Sequence, residues 1–355
     1  MTPIRLYSVC CLVLVGPLVS AESPRSLTAV RASILTSDSV AILDRGRHWT
    51  TLIGNGQGRP ILFPLRSPAG LAMTRNYPVV SRSLAGERDD HPHHRSFWFA
   101  HGDVNGIDFW ADGHGLDGEI VQTSMTVMPD TASKGVIVAT TDDWIGPDGQ
   151  TVLSDRRRMH FYRDGARRVI DFGVRLFANH GDVQFGDTKE GTLGLRVAGT
   201  MKIDAAMGGT ARSADGRVDG DVWGTRSDWV DYSGPVFAMD KLQTNSIDQL
   251  DIKEASIVGI TIHDHPSNFG SPSRWHVREY GLFAANPFGQ SAFTGGEPRG
   301  GYTLPAGKQM DLRYRIVLHE GPLDSDIARA DQLAFASSRL PTFALKDEGL
   351  SVAPE

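Results

Sequence analysis

Histidine is concentrated in one stretch of this chain. In the segment Glu87-Arg-Asp-Asp-His-Pro-His-His-Arg-Ser-Phe-Trp-Phe-Ala-His-Gly-Asp-Val-Asn-Gly-Ile-Asp-Phe-Trp110, four of the twelve histidines fall within eleven residues: His91, His93, His94 and His101. Asp89, Asp90, Asp103 and Asp108 surround them. Imidazole titrates near neutral pH and also ligates metals, so this density beside carboxylates points to proton transfer or metal binding. His93 and His94 are candidate acid–base groups, with Asp90, His101, Asp103 and Asn105 as partners for substrate hydroxyls. As an alternative, His91, His93 and His101 could hold a divalent zinc, iron or manganese, although no His-Glu-x-x-His spacing is present.

Three further segments could join this one. Arg75-Asn76-Tyr77-Pro78 offers a guanidinium and an amide before a rigid turn. Phe185-Gly-Asp-Thr-Lys-Glu-Gly191 groups Asp187, Lys189 and Glu190, with Glu190 a candidate base. In Thr261-Ile-His-Asp-His-Pro-Ser-Asn268, His263 and His265 alternate and so could face one pocket, with Asp264 a second candidate base. Trp275 follows soon after. An indole beside Asp, Asn, Arg and His suits a sugar, whose C–H face stacks while its hydroxyls need paired donors and acceptors. The same residues also suit a glycan-binding module without chemistry.

Strands must carry these groups. Short β-branched and aromatic runs recur between Gly, Asp and Asn, and Asp164-Gly165 marks a hairpin followed by Ile170, Phe172, Val174 and Leu176 on one face. Ser96–Ala100 reads as a strand with Trp98 on one side and Phe97 and Phe99 on the other. One helix is expected near the end, capped at Asp324-Ser325, with Ile327, Ala330, Leu333 and Ala334 at helical spacing. This pattern predicts an all-β, large antiparallel sandwich with one short C-terminal helix, forming a single domain over 22–355.

Composition narrows the function. The 355 residues hold 36 Lys+Arg against 42 Asp+Glu, a net charge of −6, which disfavours nucleic acid as a partner. Residues 1–21 read as an export signal: Arg5, an apolar run too short for a comfortable span, then Val19-Ser20-Ala21. Both cysteines, Cys10 and Cys11, lie inside it, so the mature chain has no thiol chemistry and no disulfide. The expectation is a periplasmic or extracellular protein with no membrane contact after cleavage and a small carbohydrate as its partner.

The runs Asp90-His-Pro-His-His-Arg95, His101-Gly-Asp-Val-Asn-Gly106, Phe185–Gly191 and His265-Pro-Ser-Asn268 resemble the PmoA-like family of exported bacterial proteins. The order of parts, ending in Leu304-Pro-Ala-Gly307, is more distantly similar to galactose mutarotase-like proteins. That likeness implies a β-supersandwich with a sugar groove. Mutarotases commonly carry a basic Glu just after that last Gly; Lys308 stands here, which moves the expected base to Glu190 or Asp264. Epimerisation, elimination and hydrolysis of a sugar all remain open.

Overall fold

The Asp164-Gly165 signal folds as its residue types dictate. Gly165 takes φ 57°, which costs a residue without Cβ little, and Asp164 pairs with Arg167 across a two-residue loop. The computed structural model describes residues 30–81, 83–111, 117–243 and 246–338, and the expected export signal lies outside these residues.

Eighteen strands are described. In chain order they are β1 (Val30–Thr36), β2 (Ser39–Asp44), β3 (Arg47–Ile53), β4 (Ile61–Phe63), β5 (Phe97–His101) and β6 (Glu119–Asp130). Next come β7 (Gly135–Ile145), β8 (Thr151–Asp164), β9 (Arg167–Phe177), β10 (Val183–Phe185), β11 (Gly191–Arg196) and β12 (Thr210–Ser213). The last six are β13 (Trp229–Val236), β14 (Ser256–Asp264), β15 (Arg274–Val277), β16 (Leu282–Asn286), β17 (Tyr302–Leu304) and β18 (Gln309–Glu320). Two helices accompany them, the single turn α1 (Ser291–Thr294) and α2 (Ser325–Ala336).

The strands form two eight-stranded antiparallel sheets. The first runs β1-β2-β3-β4-β5-β11-β16-β15 and the second β12-β13-β14-β18-β9-β8-β7-β6, with β10 and β17 as a small extra pair. Alternation on β5 works as expected: Phe97 and Phe99 reach across to Phe172 on β9, at ring distances of 5.5 and 6.0 Å. Ile170, Phe172, Val174 and Leu176 are all buried on the facing sheet, and one apolar cluster joins the two. The chain is therefore a large antiparallel β-sandwich, as its strand pattern predicts.

Asp324 caps α2 by accepting from the amides of Asp326 and Ile327. The buried face of that helix differs from the expected stripe. Ala328, Gln332 and Phe335 face the protein, while Ile327 and Leu333 stay exposed. Specific partners decide this: Gln332 meets the His263 ring at 3.1 Å, and Phe335 lies under the Arg315 guanidinium at 4.8 Å.

Candidate functional site

The outward face of the first sheet is built from one aromatic and several small residues. Trp98 on β5 lies opposite Gly194 on β11, Gly194 opposite Ala284 on β16, and Ala284 opposite His276 on β15. Residues directly paired in this way share a face. A Cβ at Gly194 would sit 2.5 Å from Trp98 and 2.8 Å from Trp110, so both indoles rest against bare backbone. The result is a low floor between Trp98 and His276, three strand spacings or about 14 Å apart.

Two buried arginines hold the histidine loop over one end of this floor. Arg75 donates to the carbonyls of Arg88, Asp90, His91 and His94, and to Asp90 Oδ1 at 2.8 Å. Arg59 donates to the carbonyls of His93, Trp110 and Ala111. Arg75 is thus a positioning residue, correcting its expected place on the substrate: the carbonyls of an irregular buried loop need donors, and it supplies them. Burial, and then the neighbouring Arg196, push its guanidinium down to about 10.

The loop presents parallel rings. His94 stacks on Trp98 at 5.4 Å, His91 on His94 at 4.9 Å, and Tyr280 on His91 at 5.0 Å. Arg196 lies against the Tyr280 ring at 4.6 Å and donates to Asp90 Oδ1 at 2.9 Å and to His94 Nδ1 at 3.0 Å. A guanidinium only donates, so Nδ1 of His94 accepts and its proton is on Nε2. That Nε2 is buried and has no partner among the described residues. Burial first, then the charges of His93 and Arg196, lower the His94 pKa well below the ordinary range and keep the ring neutral.

His276 has the opposite tautomer. Its Nδ1 lies 3.0 Å from the Lys189 carbonyl, which can only accept, so Nε2 carries a bare lone pair. Burial lowers its pKa to about 4, against the field of Glu190. Glu190, half-buried, pairs with Lys189 at 2.8 Å. Its charge also raises the Tyr280 phenol, which burial raises most; Arg196 and Arg278 oppose that rise. Beside Tyr280 opens a cavity of about 410 Å³, lined among others by Arg88, Asp204, Trp223, Arg278 and Glu279.

The remaining expected residues are placed elsewhere. His101 is buried at the far end of β5, between Phe185 and Phe288, with Nε2 on the Gly186 carbonyl at 2.9 Å. It does not meet His91 and His93, and among the described residues no three His, Cys, Asp or Glu side chains converge as metal ligands. Asp103 accepts from the Gly106 amide, and Asn105 pairs with the backbone of Asp182 and Gln184. Asp187 accepts the amides of Gln290, Ser291 and Gly300; burial alone would raise its carboxyl, but these bonds outweigh it and hold it low. The backbone N–H of Asn76 donates to the Glu87 carboxylate.

Asp264 and the two histidines beside it belong to the second sheet. Asp264 takes hydrogen bonds from the Asn268 side chain and the Ser273 amide, and burial raises its pKa to about 6. His263 and His265 do point the same way, but α2 covers them: His263 meets Gln332 and His265 sits edge-on to Phe335 at 5.0 Å. Trp275 is fully buried and donates to the Ser227 carbonyl, so its neighbour His276 is the residue on the outward face. His276, Tyr280 and Arg196 were not singled out from the sequence. Strand alternation past a buried Trp275 was the available signal for His276.

No curated protein matches the chain. Among solved structures it is similar to a beta-arabinopyranosidase, at 9% identity and a TM-score of 0.30. It is also similar to the galactosidase domain of the alpha-galactosidase-sucrose kinase AgaSK, at 8% and 0.33. The matches cover 82% and 84% of this chain, which spans only 38% and 41% of theirs. The PmoA-like likeness stays one of motifs. A family model matches residues 39–334, and the chain accordingly belongs to DUF6807, a family of unknown function.

Proposed function

We propose that this is an exported carbohydrate-active protein that binds a sugar on the outward face of the first sheet and moves a proton on it. One observation carries the reading: the Lys189 carbonyl takes the Nδ1 proton of His276 and leaves its Nε2 an acceptor, on the same sheet face as Trp98 and near the Tyr280 ring stacked on the histidine loop. A polyhydroxy ring is the kind of ligand that supplies partners for such groups. His276, with Glu190 beside it, accepts the proton, while the Tyr280 hydroxyl donates to an oxygen that gains negative charge. A neutral histidine base beside one carboxylate favours epimerisation or elimination over hydrolysis, which normally calls for two carboxyl groups. Glu190 is the carboxylate whose charge acts on both His276 and Tyr280, and its ion pair is with Lys189.

The test is a panel of monosaccharides and their glycosides, followed by calorimetry for binding and by NMR in deuterated water for exchange or conversion. His276→Gln and Glu190→Gln are expected to lower turnover by about 10²-fold or more while leaving the sugar bound. Sugar binding with no change in any ligand would assign a glycan-binding module instead. No binding at all would end the reading.

A further inference from the structure

The charges around the 410 Å³ cavity are arranged unevenly. Two carboxylates serve four cations: Asp90 takes Arg75 at 2.8 Å and Arg196 at 2.9 Å, and Asp204 takes Arg88 at 3.0 Å and Lys202 at 3.1 Å. The two groups are neighbours across Gly281, where a Cβ would lie 3.0 Å from the Lys202 stem and 3.7 Å from Arg196 Nε. Glu87 faces the amides of Asn76, Tyr77 and Leu84. Glu279 lies on the cavity wall near Gly220. Among the described residues Arg278 has no carboxylate partner; it is exposed, 5.8 Å from the Tyr280 ring centre. Of the charged side chains lining the cavity, Arg88 and Asp204 pair with each other, while Arg278 and Glu279 make no ion pair among the described residues, which leaves Arg278 as the lining cation open to an incoming anion.

We propose that the sugar bound here is an acidic one, a uronic acid whose carboxylate docks against Arg278 in the cavity beside Tyr280. This rests on the sugar site proposed above and names its substrate class. A guanidinium fork matches a planar carboxylate with two parallel hydrogen bonds. The chemistry also agrees. The C–H next to a carboxylate is the acidic one in a uronic acid, and its proton would pass to His276 Nε2 or Glu190. The electron pair left behind moves into the carboxylate as an enediolate, which the cations stabilise. Return of a proton to the other face gives the epimer; loss of the substituent one carbon away, with its bonding pair, gives an unsaturated uronate.

Calorimetry on the full protein with methyl glucuronide and methyl galacturonide, against the corresponding neutral methyl glycosides, tests this. Each uronide is expected to bind at least about tenfold tighter than its neutral partner, roughly one charge-assisted contact, with the advantage shrinking as salt is raised. Arg278→Ala, at an exposed position, is expected to erase that difference, and Arg278→Lys to restore part of it. If neutral and acidic sugars bind equally, the acidic assignment fails while the sugar site stands. If neither binds, both fail. Tighter binding of a sugar 6-sulfate than of the uronide would overturn the carboxylate in favour of a sulfate ester.

Discussion

Two histidines on one sheet face are fixed in opposite tautomers by what their other nitrogens touch. Arg196 forces the proton of His94 onto Nε2, and the Lys189 carbonyl forces that of His276 onto Nδ1. Nitrogen-15 NMR should therefore show both rings neutral at pH 7, with the two protonation patterns reversed. Replacing Arg196 by Met removes a charge that lowers the His94 pKa, so the His94 titration should move up. Glu190→Gln removes a charge that raises His276, so that residue should titrate lower still. A shift of either in the other direction would refute the assigned contacts.

At the scale of elements, β5 and β11 make the floor, and Gly194 is where they approach a side chain too closely for any Cβ. Gly194→Ala places a methyl against Trp98, and stiff rings over backbone leave it little room. An overpacking cost of about 1–3 kcal/mol is expected in denaturant unfolding, together with weaker sugar binding as Trp98 and the His94 stacked on it are displaced. His263 gives the contrasting case. It is buried between β14 and α2, and His263→Ala breaks its bond to Gln332. A loss of about 1–3 kcal/mol in stability with unchanged sugar affinity is expected. A drop in affinity there would return the His263–His265 segment to the site.

The whole molecule carries a set of histidines kept neutral by burial. His101 and His276 are lowered to about 4 and His263 to about 3, each mainly by desolvation, and His94 is lowered as well. In the unfolded chain these groups take up protons near 6.5, so between there and about 4 the unfolded state binds more protons and stability falls with falling pH. Asp264, raised to about 6, acts in the opposite sense between its ordinary value and 6, and His319, raised by its bond to Asp231 against the effect of burial, does so above 6.5. Four histidines outweigh these over the acid range. Differential scanning calorimetry should show a lower midpoint near pH 5 than near pH 7 at constant salt; an unchanged or higher midpoint would contradict the burial of these rings.

Local chemistry was legible from the residues themselves. Alternation at Phe97-Trp98-Phe99, the Asp164-Gly165 turn and the Asp324 cap depend on neighbours a few positions away, so the sequence alone determined the strands, the capped helix and the sandwich class. The density of His91, His93 and His94 was visible for the same reason. What tertiary structure decided was which side chains share a surface. Arg75 could not be told from a ligand-binding residue until the carbonyls it serves were folded beneath it. The strand pairing that puts His276 on the Trp98 face, while α2 covers His263, joins residues far apart in the chain. Register between distant strands is set by the summed packing of a whole core, and no short motif encodes it.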